Sequence, residues 1–68
     1  MVHKTPLGHW IDVGLLRRDL RRKGITVTLP DAHVAQCALD LDAVLLTRDA
    51  IFTDIARHTA LRVTSAAS

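Results

Sequence analysis

The chain has 68 residues, 49% apolar and 24% charged, with a formal net charge of +2. This is the composition of a globular chain rather than a disordered one, and its length allows one small domain that buries roughly 60% of its unfolded surface. No apolar run is long enough to span a bilayer, no signal-peptide pattern opens the chain, and the single Cys37 excludes an internal disulfide framework and any zinc site built on cysteines.

A reduced, cytoplasmic setting is the expectation that follows. All seven acids are Asp, and five of the nine basic residues, Arg17, Arg18, Arg21, Arg22 and Lys23, lie close together. Trp10 and Phe52 are the only aromatic residues apart from histidine, so Leu, Val, Ile and Ala must build the core.

Residues 1–9 carry Pro6 and Gly8 without periodicity and read as a lead-in. A helix is predicted over 10–23, closed by Gly24, where a helix end favours a left-handed residue. Val13, Leu16 and Leu20 fall on one stripe and should be buried. Arg17, Arg18, Arg21 and Arg22 occupy another sector, and cations there suit the negative end of the helix dipole. Residues 25–29 alternate apolar with Thr, which fits either a short strand or an extended connector before Pro30.

Over 32–41, Val34, Cys37, Ala38 and Leu41 have the spacing of a buried helical stripe, with His33, Gln36 and Asp40 opposite. Residues 43–46 are apolar without alternation, as in a parallel strand covered on both faces. Ile51, Phe52, Ile55 and Ala56 mark a short helix ending near His58. A last strand over 61–64 and a tail at 65–68 complete the chain. The fold class is therefore α/β, with helices flanking a short parallel two-stranded sheet joined by a crossover, expected to be right-handed. Two short strands do not make a stable sheet alone, so the strand at 44–46 wants a neighbour on its other edge.

Asp31 and Asp49 each stand where an element begins. Asp directly before an apolar-periodic run is a favoured helix N-cap, and that reading fits both. His3, His9, His33 and His58 show no ligand spacing, His33 is expected as a surface neighbour of Asp31, and Cys37 is expected in the core. Asp40, Asp42 and Asp54 read as solvated acids.

The run Pro30-Asp31-Ala32-His33-Val34-Ala35-Gln36-Cys37-Ala38, then Leu45-Leu46-Thr47-Arg48-Asp49, then Phe52 and Ile55, resembles the carboxy-terminal half of PIN-domain ribonucleases, most of all the VapC toxins of bacterial toxin–antitoxin pairs. In that family an Asp opens a helix, and about eighteen residues later a strand ends in Thr-x-Asp, followed by Phe. Here Asp31 and Asp49 are eighteen positions apart. The likeness covers roughly residues 11–64 and only about half of a PIN domain.

The resemblance implies a partial PIN-like fold and, for the complete domain, Mg²⁺- or Mn²⁺-dependent hydrolysis of RNA. It makes Asp31 and Asp49 catalytic, metal-site acids, with Thr47 orienting Asp49 or a metal-bound water. It also implies RNA and a cognate antitoxin as partners. The family's first acid, in an amino-terminal strand, and the Glu that follows it have no counterpart here, because the chain contains no Glu. The segment is therefore expected to be inactive alone and to need an amino-terminal half.

Two Asp residues are not formally too few for this, since Mg²⁺ is held by one or two carboxylates together with waters and substrate phosphates. Arg17, Arg18, Arg21 and Arg22 could track an RNA backbone or simply form a solvated helix face. Two other readings stand beside the nuclease. One is an interaction protein that forms a homo-oligomer or pairs through an exposed strand edge, and the other is a small basic nucleic-acid-binding module.

Overall fold

The structure, a computed structural model, describes residues 5–65. Three helices and two strands follow in the order α1 (Pro6–Arg22), α2 (Leu29–Asp40), β1 (Val44–Thr47), α3 (Ala50–His58) and β2 (Arg62–Ser65). The fold is mixed α/β, as expected. The tail's residues 66–68 and the lead-in's residues 1–4, including His3, lie outside the described residues.

Helix α1 starts at Pro6 rather than at Trp10, so residues 6–9 of the expected lead-in are helical. The cause is local. Thr5 is the N-cap, its Oγ1 accepting the Gly8 N–H at 3.0 Å, and Pro6 sits at the first helical position, where a missing N–H costs nothing. The other end closes at Gly24, with φ +85°. Gly24 N–H donates to Arg21 O at 3.0 Å and Ile25 N–H to Leu20 O at 2.9 Å, the paired bonds of a Schellman end.

Residues 25–28 form an extended connector with no strand partner. The alternation is still used, because Val27 is buried while Thr26 and Thr28 face solvent. Arg17 pins the connector by donating Nε–H to Val27 O at 3.0 Å. Thr28 then caps α2, which ends in a second Schellman pattern with Asp42 at φ 51°. Asp42 N–H donates to Leu39 O at 3.2 Å and Ala43 N–H to Ala38 O at 2.9 Å.

The strands pair in parallel, with Val44 opposite Arg62, Leu45 opposite Val63, Leu46 opposite Thr64 and Thr47 opposite Ser65. Arg62 Nη2 donates to the main-chain and side-chain oxygens of Asp42, tying the start of β2 to the turn before β1. Strand β1 was expected to be covered on both faces, and it is covered on one. Leu45 and Thr47 are half-buried, whereas Val44 is 51% exposed and Leu46 65%.

The core joins Val13, Leu16 and Leu20 of α1 to Val27, to Phe52 and Ile55 of α3, and to Leu61. From α2 it takes Ala32, Ala35 and Ala38, so of the expected stripe of Val34, Cys37, Ala38 and Leu41 only Ala38 is in the core. Val34 is 40% exposed and Leu41 75%. Nearly every non-polar position of α2 could join one of two overlapping stripes, and α1 packs on the one that is all alanine. Methyl side chains let two helix backbones approach closely, so the larger residues are turned outward. Among the described residues, no helix is long and apolar enough to cross a membrane.

Candidate functional site

Two groups of side chains come into question, at different places in the fold. The first is the acid pair. Asp31 does not cap α2. Thr28 does, and Asp31 occupies the third helical position, its own N–H donating to Thr28 Oγ1 at 3.4 Å. The Asp31 side chain is half-buried and has no part in the cap. Asp49, in contrast, is the N-cap of α3, with Oδ1 accepting the Ile51 N–H at 3.3 Å.

Thr47, the last residue of β1, accepts the Asp49 N–H on Oγ1 at 3.0 Å. This bond fixes the backbone at the start of α3. Helix α2 packs on both β1 and α3. Asp31 and Asp49 are hard oxygen donors of the kind that suits Mg²⁺. Neither joins a group of three potential ligands among the described residues.

The arginines divide. Arg17 is half-buried and bonded to Val27 O, while Arg18, Arg21 and Arg22 are exposed. Arg18 and Arg22 line an open groove of about 630 Å³ between α1 and α2, interleaved with Asp12, Asp19 and Asp40. Lys23 pairs with Asp19 at 3.2 Å and donates to His58 O at 3.2 Å, joining α1 to the end of α3. The helix face thus carries both signs of charge.

The second group was not expected. His9 of α1 meets His33 and Cys37 of α2, and one ligand atom from each lies within 4.8 Å of the other two. His9 Nε2 is 2.6 Å from His33 Nδ1, and His33 Nε2 is 3.9 Å from Cys37 Sγ. The expectations that the histidines share no ligand arrangement, that His33 is a surface neighbour and that Cys37 belongs to the core are corrected here. The single cysteine argues against a zinc site built on cysteines, but one thiol beside two imidazoles is a donor set that could hold a metal ion.

His33 is half-buried between rings, with Trp10 stacked on it at 5.2 Å between centroids and 22° between planes, and His9 edge-on at 4.7 Å. His9 Nδ1 lies 3.8 Å from Asp40 Oδ2, whose Oδ1 accepts from Gln36 Nε2 at 2.9 Å. The signal for this cluster was the four-residue spacing of His33 and Cys37, which puts both on one helical face. His9 could not be added from sequence, because it reaches the pair only through helix packing.

No protein-family model matches the chain. No curated protein and no solved structure matches it significantly.

Proposed function

We propose that this chain is the carboxy-terminal half of a PIN-like, VapC-type ribonuclease, inactive alone and completed by an amino-terminal half that supplies further strands and acids. One observation carries the reading: the bare apolar face and free edge of β1, directly before Thr47 and Asp49. A strand that exposes Val44 and Leu46 at 51% and 65% lacks the layer that parallel sheets require. The acids expected from the resemblance stand where a parallel α/β fold places ligand-binding groups, at the carboxyl end of a strand and the start of a helix.

Asp31 and Asp49 would hold Mg²⁺ or Mn²⁺ in the completed domain, where the cation would orient water and stabilise the leaving oxygen of an RNA phosphodiester. Thr47 keeps Asp49 in place through its backbone N–H. Exposed Arg18, Arg21 and Arg22 are available to phosphates, and a cognate antitoxin is the further partner that the resemblance implies.

The test is RNA cleavage with Mg²⁺ by the chain alone and by the chain joined to the segment encoded in frame upstream. The expected result is no cleavage alone, cleavage when joined, and loss of it in Asp31→Asn and Asp49→Asn. Cleavage by the joined domain that survives both substitutions together overturns the assignment.

The same bare face favours a second reading, an interaction protein whose β1 edge pairs with another copy. Light scattering after size exclusion separates the two. A dimer that Leu46→Lys dissociates favours self-pairing, and a monomer counts against it.

A further inference from the structure

We propose that His9, His33 and Cys37 form a binding site for a borderline-soft divalent cation of the Zn²⁺ class, at the packing of α1 on α2. The site is distinct from the acid pair and does not depend on the nuclease reading.

The donor set selects the metal. One thiolate and two imidazoles suit Zn²⁺ and its spectroscopic substitute Co²⁺, whereas Mg²⁺ and Mn²⁺ prefer oxygen. The distances fit as well. A tetrahedral ion with Zn–N of about 2.0–2.1 Å and Zn–S of about 2.3 Å needs its donor atoms roughly 3.3–3.6 Å apart. Cys37 Sγ and His33 Nε2 are 3.9 Å apart, His9 Nε2 meets the other His33 nitrogen, Nδ1, at 2.6 Å, and one ligand atom from each residue lies within 4.8 Å of the other two. Binding an ion would exchange the 2.6 Å hydrogen bond between His9 Nε2 and His33 Nδ1 for metal bonds, with the side chains turning to bring one nitrogen of each ring towards Cys37 Sγ.

The surroundings are those of a built site. His33, Cys37 and Asp40 recur at the four- and three-residue steps that keep side chains on one helical face. From that face Asp40 Oδ2 lies 3.8 Å from His9 Nδ1, longer than a hydrogen bond, while His9 Nε2 faces His33 Nδ1. A carboxylate that accepts the other ring N–H fixes the tautomer and orientation of a metal-binding imidazole, the role Asp40 would take if this contact shortened on binding. Gln36 holds Asp40 in turn, at 2.9 Å. Trp10 covers the face of His33 and limits its ring rotation. Three protein ligands leave a fourth position for water or a substrate atom, the pattern of zinc sites that remain open.

The chain carries its own reporter, because Trp10 is its only tryptophan and lies against a ligand ring. Tag-free protein is titrated with Zn²⁺ by calorimetry and Trp10 emission, and with Co²⁺ by absorption. The expected result is one ion per chain, a change in Trp10 emission, tetrahedral Co²⁺ bands and a thiolate-to-cobalt charge-transfer band. Cys37→Ser abolishes the charge-transfer band. His9→Ala and His33→Ala each weaken Zn²⁺ binding at least tenfold. Asp40→Asn weakens it by about 10–100-fold, as expected for a group that orients a ligand.

Asp31→Asn with Asp49→Asn leaves Zn²⁺ affinity unchanged, so the outcome is independent of the nuclease assignment. Far-ultraviolet circular dichroism confirms the fold of each variant, and Cys37→Ser, the mildest change, keeps the test valid if an alanine variant unfolds. Octahedral Co²⁺ spectra without charge transfer, or Zn²⁺ affinity unchanged in Cys37→Ser and His9→Ala, overturns the proposal and leaves the cluster a ring stack.

Discussion

Replacing Thr28, Asp31 and Asp49 one at a time separates holding the fold from serving a site. Thr28 caps α2 and Asp49 caps α3, whereas Asp31 has no capping role. Loss of an N-cap side chain costs about 1 kcal/mol, within roughly 0.5–2. For a domain of this size each kcal/mol lowers Tm by roughly 4–8 °C. Thr28→Ala and Asp49→Ala should each lower Tm by about that amount. Asn caps as well as Asp does, so Asp49→Asn keeps the bond to Ile51 N–H and forfeits only a few tenths of a kcal/mol of helix-dipole interaction. Asp31→Asn removes a charge near a helix N-terminus and costs about 0.3–1 kcal/mol. Thermal melts followed by circular dichroism check the ranking. If Asp31→Asn destabilises more than Thr28→Ala, Asp31 is a structural residue and its assignment to a metal site loses its basis. If Asp49→Asn matches Asp49→Ala, the bond to Ile51 N–H is not what Asp49 contributes.

Gly24→Ala places a Cβ at φ +85° and should cost about 1–2 kcal/mol, with nothing near the added methyl to offset it; denaturant melts read the change. Ile55→Ala, at a fully buried position, should cost about 2–5 kcal/mol. A chain of this length has a total stability of only about 3–10 kcal/mol, so the loss is a large fraction of it and should move the urea midpoint well below that of the parent chain. Leu46→Lys, on the open sheet face, should change the stability of the isolated chain by less than about 0.5 kcal/mol in urea titration, and a larger loss would mean that the face is already covered.

Wherever one residue type decides a local geometry, the sequence was legible. Gly24 announced the end of α1, Asp40-Leu41-Asp42 announced the end of α2, and the unbroken apolar run 43–46 announced β1. Thr5-Pro6 carried an equally local signal, a cap followed by Pro at the first helical position, which apolar periodicity alone passes over. Asp31 beside Pro30 looked like a cap, yet Thr28 had already taken that place, because the helix enters ahead of Pro30 rather than after it. The register of α2 was different in kind. Its apolar positions are so dense that two stripes satisfy the same period, and only the demand of α1 for a close approach selects Ala32, Ala35 and Ala38. The histidine–cysteine cluster depended on that selection. Turning the alanines inward carries His33 and Cys37 to the flank of the helix contact, where His9 and Trp10 arrive from α1.

That dependence links the two candidate sites through stability rather than through chemistry. Parallel strands exposed on one face give little stability, and the helices must make up the rest. Helix α1 reaches the remainder of the fold chiefly through α2, through the ring cluster at its amino-terminal end and through Arg17 and Lys23 towards its carboxyl end. A ligand that binds only the folded form adds RT ln(1 + [L]/Kd), about 2.7 kcal/mol at a hundredfold excess over Kd. A Zn²⁺-class ion at His9, His33 and Cys37 would therefore clamp α1 to α2 with an effect comparable to one buried core residue. An amino-terminal half laid on Val44 and Leu46 would act on other residues, the exposed face of β1. Because the two contributions act on different surfaces, they should add, as independent sites do. A melting shift from Zn²⁺ that vanishes once the sheet face is covered would show instead that both act on one shared, partly unfolded state.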